Sequence, residues 1–339
     1  MSGTTRAGTA ANSQHPPKQC QPEFPGWHTS CFLRRASIAY KDIIMPIASL
    51  DRLLQHASDN KYAVGAFVSM NIEIIQAAIA AAEKKNSPVV IRIHPDSRQI
   101  TSFETLTSVA KQLAAKASVP VGLSLDHGNT LADTVDAIRA GCTSVMLDAG
   151  EEPLEDNIRL VKQVVEVAKP LGILVEAAIG HMEHGAVQTD DDLASVQEAV
   201  RLVRESGATI LAPAIGNVHG SAHGEIKAKS NLAIDRIRDL REATGVPICM
   251  HGGSGTPRDQ MQAATKAGVA LVILFSDIIT AYNKELKRVL DENSIGIAII
   301  DALVPAQHAA QGVIEEKMDD LGSAGQASAF NEWLRASAG

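Results

Sequence analysis

The stretch VPVGLSLDHG, Val119–Gly128, decides the fold of this chain of 339 residues. Its apolar residues, bounded by Pro120 and Gly128, are typical of a parallel strand that is buried on both faces. The run ends abruptly at Asp126 and His127. A carboxylate and an imidazole are costly in an apolar core, but they suit the carboxyl end of a barrel strand, where active sites are built.

Short apolar runs alternate with longer amphipathic runs on both sides of this stretch. The predicted strands are 63–67, 88–93, 119–125, 143–147, 172–177, 208–212, 246–250 and 269–274, and the predicted helices are 72–85, 103–117, 130–140, 153–168, 191–206, 231–244, 257–266 and 277–290. Eight strand–helix units predict an α/β fold, a (β/α)8 TIM barrel. A doubly wound open sheet is the alternative, but no GxGxxG follows the first strand, and polar residues follow many strands.

Composition narrows the classes of protein. The chain is 45% hydrophobic but only 3% aromatic, which predicts a large aliphatic core. The net charge of −8 comes without a basic stripe, which argues against a nucleic-acid partner. We expect no membrane span, because no apolar run is long enough to cross a bilayer. The cysteines lie far apart and predict free thiols in a reducing cytoplasm: Cys20, Cys31, Cys142 and Cys249.

Three regions are expected along the chain. Residues 1–44 are rich in Pro, Gln, Ser, Thr and Gly and hold a single acidic residue, Glu23, so we predict a disordered N-terminal extension. A transit peptide is the alternative for this region. Residues 45–292 form the predicted barrel, and residues 293–339 form a predicted C-terminal helical extension with a tail rich in Gly, Ala and Ser.

Polar residues follow several predicted strands and are expected to meet at one rim of the barrel. Asp126 and His127 follow the third strand, and Glu176 ends the fifth. His219 follows the sixth strand, and His251 follows the seventh. Three histidines with an open coordination position are the donor set of a catalytic zinc site. The alternative is that each histidine fills a polar gap at a strand end.

The sequence HGGSG at 251–255 joins the seventh strand to the next helix. Gly252 and Gly253 let backbone N–H groups approach a ligand closely, and the helix N-terminus favours an anion. Ser254, Gly220 and Ser276 offer further donors. Because the loops after strands seven and eight of such barrels commonly bind phosphate, we predict a phosphate site here. A plain tight turn is the alternative.

Several motifs carry a resemblance to a known family. They are AFVSMNIEIIQAAIAAAEKKNSPV at 66–89, LDHG at 125–128, SVMLDAG at 144–150, EDNI at 155–158, VEA at 175–177, AIGNVHG at 214–220 and HGGSG at 251–255. In this order, over about residues 46–291, the sequence resembles the class II, zinc-dependent ketose-bisphosphate aldolases, which include the fructose- and tagatose-bisphosphate aldolases.

The resemblance implies a role for each matching residue. His127, His219 and His251 match the family's zinc ligands. Asp126 matches its catalytic acid/base, which moves a proton to and from the hydroxyl at the bond that breaks. The residues that we predict to bind the substrate, around its dihydroxyacetone phosphate end, are Gly220, Gly252, Gly253, Ser254, Ser276 and Asn217.

The chain departs from the family's pattern around these residues. Ala178 replaces the second glutamate of VEAELG, and we predict that the remaining Glu176 joins the metal ligands. Glu183, on the reworked loop GHMEHGAV, is the predicted acid for the C–H proton of the ketose phosphate. Ile273 stands where the family has the Asn that touches the substrate, and His94 stands where it has a Ser. These changes predict a substrate other than fructose 1,6-bisphosphate, or one without the second phosphate.

We therefore predict a zinc-dependent aldolase, an aldehyde-lyase of carbohydrate metabolism that acts on a sugar phosphate. Its products would be dihydroxyacetone phosphate, or a similar triose, and an aldehyde. The resemblance also implies a homo-oligomer, a dimer or a tetramer. Two alternatives stay open: a non-catalytic or regulatory barrel that binds a metal and a sugar phosphate, and a related lyase or epimerase that acts on a non-phosphorylated substrate.

Overall fold

The computed structural model of the protein describes residues 47–180, 189–218, 230–293 and 296–337. The predicted N-terminal extension at 1–44 lies outside these residues. The division of the chain into three regions therefore stays a prediction.

Eight parallel strands close into a barrel in the order of the chain, and the last strand pairs with the first. They are β1 (Val64–Ser69), β2 (Val89–Ile93), β3 (Val121–Leu125), β4 (Ser144–Met146), β5 (Leu174–Ile179), β6 (Ile210–Pro213), β7 (Ile248–Met250) and β8 (Val269–Leu274). The predicted TIM barrel is confirmed, and the open sheet is wrong, because β8 and β1 are hydrogen-bonded.

Helices surround the barrel and continue beyond its last strand. They are α1 (Leu50–Asn60), α2 (Ile72–Lys85), α3 (Phe103–Ala114), α4 (Leu131–Ala140), α5 (Leu154–Ala168), α6 (Val196–Ser206), α7 (Ile234–Thr244), α8 (Arg258–Ala267), α9 (Ser276–Glu292), α10 (Ile299–Asp320) and α11 (Gln326–Ser337). The expected C-terminal helices are α10, which packs against α9 and α2, and α11. The helix α1 was not among the predicted elements.

Two helices begin later than the sequence predicts, because residues ahead of them are hydrogen-bonded elsewhere. Ahead of α6, the carboxylate of Asp192 accepts hydrogen bonds from the N–H and the hydroxyl of Thr189, each at 2.7 Å. This contact forms a separate turn. Ahead of α7, Leu232 donates its N–H to Gln260 Oε1 at 2.8 Å instead of entering the helix.

The start of α4 fixes the loop that follows β3. Asp133 donates its N–H to Thr130 Oγ1 at 3.2 Å, and Thr130 donates its N–H to Asp133 Oδ2 at 2.8 Å. This reciprocal pair is a capping box, in which each residue satisfies a backbone donor of the other. Thr130 is thus the N-cap of α4, one residue before its first helical residue. The cap anchors the short segment that carries Asp126 and His127.

Two hydrophobic cores stabilise the barrel, one between the strands and the helices and one inside the strands. In β2, Val89 and Ile91 belong to the outer core, whereas Val90 belongs to the inner core. Because side chains alternate along a strand, Arg92 also points into the barrel. Leucines of α1 pack into the inner core from the end at which the strands begin.

The described residues bear on two further expectations. Cys142 and Cys249 are buried free thiols, as predicted, whereas Cys20 and Cys31 lie outside the described residues. Among the helices of the described ranges, none combines the length and the apolar character that a membrane crossing needs.

Candidate active site

A tight turn after β3 carries Asp126 and His127 to the rim of the barrel. His127 has a φ of 39°, in the left-handed region that side chains other than glycine rarely adopt. Gly128 donates its N–H to Met146 O at 3.0 Å, and a Cβ added at Gly128 would lie only 2.6 Å from that oxygen. The neighbouring strand thus holds the turn closely, and backbone strain of this kind concentrates at functional sites.

Two of the three predicted histidine ligands meet above the barrel. His127 Nε2 lies 3.1 Å from His251 Nδ1, and the two ring centroids are 4.7 Å apart at an interplanar angle of 78°. His251 follows β7, so two strands on different sides of the barrel supply this pair. The third predicted ligand, His219, lies outside the described residues.

A carboxylate holds the far nitrogen of each ring. His127 Nδ1 donates to Asp148 Oδ2 at 2.7 Å, and His251 Nε2 donates to Glu176 Oε1 at 2.6 Å. Ionised carboxylates only accept hydrogen bonds, so both ring protons lie on the sides that face Asp148 and Glu176. The neutral rings then direct the lone pairs of His127 Nε2 and His251 Nδ1 towards a common point.

Burial and charge shift the pKa values of this group. Burial lowers the pKa of His251 despite a neighbouring carboxylate, whereas Asp126 and Asp148 outweigh burial and raise the pKa of His127. Burial alone would raise the pKa of Asp148, but its hydrogen bond with His127 lowers that pKa to about 2. Burial likewise opposes ionisation of Asp126, but His127 and Arg92 lower its pKa. Both aspartates are therefore ionised at neutral pH.

Arg92 connects the two halves of the site from below. Its Nε donates to Asp126 Oδ1 at 2.6 Å. Its Nη1 and Nη2 donate to Glu176 Oε2 at 2.8 Å and to Glu176 Oε1 at 3.0 Å. Arg92 and Glu176 have no exposed side-chain surface, and Asp126 has 5%. The guanidinium thus joins Asp126, at the end of β3, to Glu176 of β5.

The residues present fit a metal ion. One donor atom each from Asp126, His127 and His251 lies within 4.8 Å of the other two. Two nitrogens on a tetrahedral zinc ion, each at 2.0–2.1 Å, are about 3.3 Å apart, close to the 3.1 Å between the two histidines. A carboxylate behind each ligating imidazole is also the usual surrounding of a protein-bound zinc ion.

The HGGSG loop joins β7 to α8 and forms a tight backbone turn that packs beside the start of α9. Ser254 Oγ accepts hydrogen bonds from the N–H groups of Phe275 and Asp277, each at 3.2 Å. Gly253 donates its N–H to Ile273 O at 3.0 Å, and a Cβ at Gly253 would lie 2.4 Å from Val272 Cγ1. The turn therefore needs glycine, and it brings the Ser254 hydroxyl to the N-terminus of a helix of 17 residues.

The remaining predicted substrate residues lie around this turn or outside the described ranges. Gly252 has a φ of 66°, and Ser276 is the first residue of α9. Asn217 is fully buried, and its Nδ2 donates to His251 O at 3.0 Å, so it contacts the backbone of a predicted ligand. Gly220 and Glu183 lie outside the described residues.

Two residues that depart from the family's pattern also lie near the site. The His94 ring centroid is 6.3 Å from that of His127, and His94 Nδ1 accepts the N–H of Asp96 at 3.1 Å. Ile273, near the end of β8, is 5% exposed. An imidazole and an apolar side chain thus stand at positions where the family pattern has a Ser and an Asn.

The sequence analysis missed two residues of the site. Arg92 is a charge inside the apolar run VVIRI, and this contrast was the available signal. Asp148 lies in the quoted motif SVMLDAG, just after β4, at the same kind of strand end as Asp126. Their partners depend on which strands are neighbours in the closed barrel.

Comparisons with known proteins agree with this geometry. The sequence matches the family profile described as fructose-bisphosphate aldolase class-II over residues 48–326. A fructose-bisphosphate aldolase of Geobacillus stearothermophilus is 34% identical over 290 residues, which cover 84% of this chain and 100% of that protein. A probable fructose-bisphosphate aldolase of Bacillus subtilis is 33% identical over 289 residues, with the same two coverages of 84% and 100%.

Solved structures show the same similarity. The crystal structure of the YdjI aldolase from Escherichia coli K12 superposes with a TM-score of 0.74 at 29% identity, over 83% of this chain and 99% of that one. A putative fructose-1,6-biphosphate aldolase from Coccidioides immitis superposes with a TM-score of 0.72 at 30% identity, over 83% and 98% of the two chains. The resemblance inferred from the motifs is confirmed.

Proposed function

The chain belongs to the class II fructose-bisphosphate aldolase family, and from this premise we propose that it breaks and forms a carbon–carbon bond in a ketose phosphate, with zinc as its metal. The predicted enzyme class, an aldehyde-lyase, follows from the membership. One observation carries the proposal: His127 and His251 direct a nitrogen each to one point, with Asp126 beside them.

The family is metal-dependent, and we assign the ion to His127 Nε2 and His251 Nδ1, with His219 as the third ligand. The contacts of Glu176 favour a different role from the predicted direct ligand. Its two oxygens already accept hydrogen bonds from Arg92, and one of them also accepts the Nε2 proton of His251. We therefore assign Glu176 to holding His251 in place, as partners behind metal ligands do.

A zinc ion held by these histidines would supply Lewis-acid chemistry, polarising the ketose carbonyl and stabilising the negative charge that cleavage leaves on the triose fragment. Asp126, ionised and beside the histidines, accepts the proton of the hydroxyl next to the breaking bond. The electrons of that C–C bond pass to the triose fragment, and the former hydroxyl carbon leaves as an aldehyde. We assign Glu183 to return a proton to the triose carbon. In the reverse direction Asp126 gives its proton back.

We assign the phosphate of the triose end to the HGGSG turn. The backbone N–H of Gly252, the Ser254 hydroxyl and the α9 N-terminus at Ser276 are donors suited to an anion. The N–H of Gly253 is already bonded to Ile273 O, so we assign Gly253 to the close turn that shapes this site. Gly220 joins this group as a proposal from the sequence. Asn217 supports the site by tying its loop to the backbone of His251. A ketose that carries a phosphate on its triose end therefore fits best.

The other end of the substrate differs from fructose 1,6-bisphosphate in this proposal. Ile273 and His94 stand at two positions where the family pattern has polar residues for the substrate. An apolar side chain cannot replace an amide hydrogen bond to a sugar, and a site with an unmatched polar group discriminates strongly. We therefore propose that the substrate is a different ketose phosphate. We also propose that the enzyme is a cytoplasmic homodimer or homotetramer.

The test is a coupled assay of triose phosphate release. Fructose 1,6-bisphosphate, tagatose 1,6-bisphosphate, a ketose 1-phosphate and the free ketose are each given to the native protein, the chelator-treated protein and the zinc-reloaded protein. We expect at least one phosphorylated ketose to be cleaved, the activity to disappear with the metal, and zinc to restore it.

Three other outcomes of this assay would count against the proposal. A sugar phosphate that binds without turnover supports the non-catalytic or regulatory barrel. Turnover of only the free ketose supports the lyase or epimerase that acts on a non-phosphorylated substrate. Cleavage that continues in protein without metal refutes the proposed mechanism.

A further inference from the structure

A fully buried arginine lies inside the barrel below the active site. Arg92 points inward from β2, on the same face as the apolar Val90. A guanidinium in such an interior is strongly unfavourable unless charged partners and hydrogen bonds compensate it. Nothing in the proposed reaction assigns Arg92 a task, so its position needs a separate explanation.

The contacts of Arg92 form a fork with two different targets. Nε donates to Asp126 Oδ1 at 2.6 Å, and the two terminal nitrogens donate to the two oxygens of Glu176 at 2.8 and 3.0 Å. Nη2 also lies 3.3 Å from Met146 Sδ. The planar guanidinium is held at several points, so it cannot rotate without losing hydrogen bonds.

The two targets belong to different parts of the reaction. Asp126 is the proposed proton acceptor, and Glu176 holds the far nitrogen of the proposed ligand His251 at 2.6 Å. A single guanidinium therefore sets the distance between the acid/base and the metal ligand. Lysine would keep the charge, but its ammonium group cannot present the planar fork that matches Glu176 and reaches Asp126 at the same time.

The same guanidinium is bonded to Glu176, which belongs to a second group of potential metal ligands. Glu176, Cys249 and His251 each offer a ligand atom within 4.8 Å of the others, which marks a second place where an ion could be held. The positive charge of Arg92, already paired with Glu176, opposes an ion there. The charge of Arg92 therefore favours the position between His127 and His251 for an ion.

We propose that Arg92 is a positioning residue, whose guanidinium fork fixes Asp126 and the Glu176–His251 pair relative to each other. This inference rests on the proposed aldolase function for its catalytic consequence. It predicts that Arg92 acts through Asp126 and, by way of Glu176, through His251, and that the shape of its side chain matters as well as its charge.

The test compares Arg92→Lys with Val90→Ala, a matched variant in the same strand and on the same inner face. At saturating metal we expect Arg92→Lys to lower kcat by about 10²-fold, as a shift of about 1 Å in a catalytic group does, and to leave KM within about twofold of the parent value. We expect its zinc affinity, measured by competition with a chelator, to fall roughly 10-fold, because His251 loses its fixed partner.

Val90→Ala leaves a cavity, so it lowers the urea midpoint, but we expect it to leave kcat and zinc affinity unchanged. An Arg92→Lys protein with kcat and zinc affinity within twofold of the parent overturns the proposal, as does a Val90→Ala protein with equal losses. Should Arg92→Lys fail to fold by circular dichroism, Arg92→Gln is measured in its place, because it keeps an amide donor but lacks the fork. The same loss of kcat supports the fork, and a normal kcat refutes it.

The two readouts separate this inference from the proposed function. If the parent protein cleaves no ketose phosphate, the proposed function fails, and the zinc affinities of Arg92→Lys and Val90→Ala still decide whether Arg92 holds the Glu176–His251 pair. If the parent is active and the two variants behave alike, the inference about Arg92 fails and the proposed function stands.

Discussion

Asp148 provides a quantitative test of how this protein holds its metal. Its Oδ2 accepts the Nδ1 proton of His127 at 2.7 Å, so it orients the ring whose Nε2 is the proposed ligand. Replacing such a partner typically weakens metal binding by about 10–100-fold, which corresponds to about 1.4–2.7 kcal/mol. The Asp148 side chain is 38% exposed, so water can take over part of its role. We therefore expect Asp148→Ala to lie near the lower limit, at roughly 10-fold.

The assay strips the metal from each protein and titrates zinc against a chelator of known affinity. Glu152→Ala is the matched control, because Glu152 is an exposed carboxylate in the same loop between β4 and α5. We expect its zinc affinity to equal that of the parent, and we expect Asp148→Ala to regain most of its kcat at saturating zinc. A parent-like zinc affinity for Asp148→Ala, or an equal loss in both variants, would refute this account of the site.

Three further predictions concern the acid/base, the phosphate turn and the capping box. Asp126→Asn should keep its zinc content but lose at least about 10²-fold in kcat, since it cannot accept the hydroxyl proton; a kcat near the parent value removes Asp126 from that role. Ser254→Ala should raise KM for a phosphorylated ketose roughly 10-fold, the cost of a hydrogen bond to a charged group; an unchanged KM in initial-rate measurements contradicts the phosphate assignment. Asp133→Asn should lower the free energy of unfolding in urea by about 1 kcal/mol at neutral pH. The Arg98 and Thr130 contacts of Asp133 outweigh burial and lower its pKa in the fold, so this contribution is complete above the unfolded pKa of about 4 and is lost as the pH falls through the lower folded value. A difference between Asp133→Asn and parent that does not shrink as the pH falls below about 4 contradicts this linkage.

Much of the fold follows from periodicity in the sequence. Buried parallel strands are short and apolar on both faces, and the helices between them repeat at 3.6 residues, so the alternation of the two is visible without a structure. The predicted helix 72–85 and strand 269–274 have the bounds that the structure gives them. The starts of α6 and α7 could not be predicted, because side chains such as Asp192 and Gln260 bind the backbone ahead of each helix.

The site was predictable where a strand end alone determines the position of a side chain. Asp126, His127 and His251 follow strands whose carboxyl ends share one rim, so their meeting follows from the barrel. Arg92 was not predictable in this way. Its partners are set by how far its side chain extends across the barrel interior to Glu176 of β5, which is not a neighbour of β2 in the sheet. A sequence pattern contains no information on such a contact.

The position of the metal tests the central claim most directly. Crystals of the zinc-loaded protein, measured at the zinc absorption edge, would locate the ion by its anomalous signal. We predict a single peak about 2.0–2.1 Å from both His127 Nε2 and His251 Nδ1, with Asp126 beside it. A zinc ion bound instead by Glu176 and Cys249, or one away from both histidines, would contradict the account.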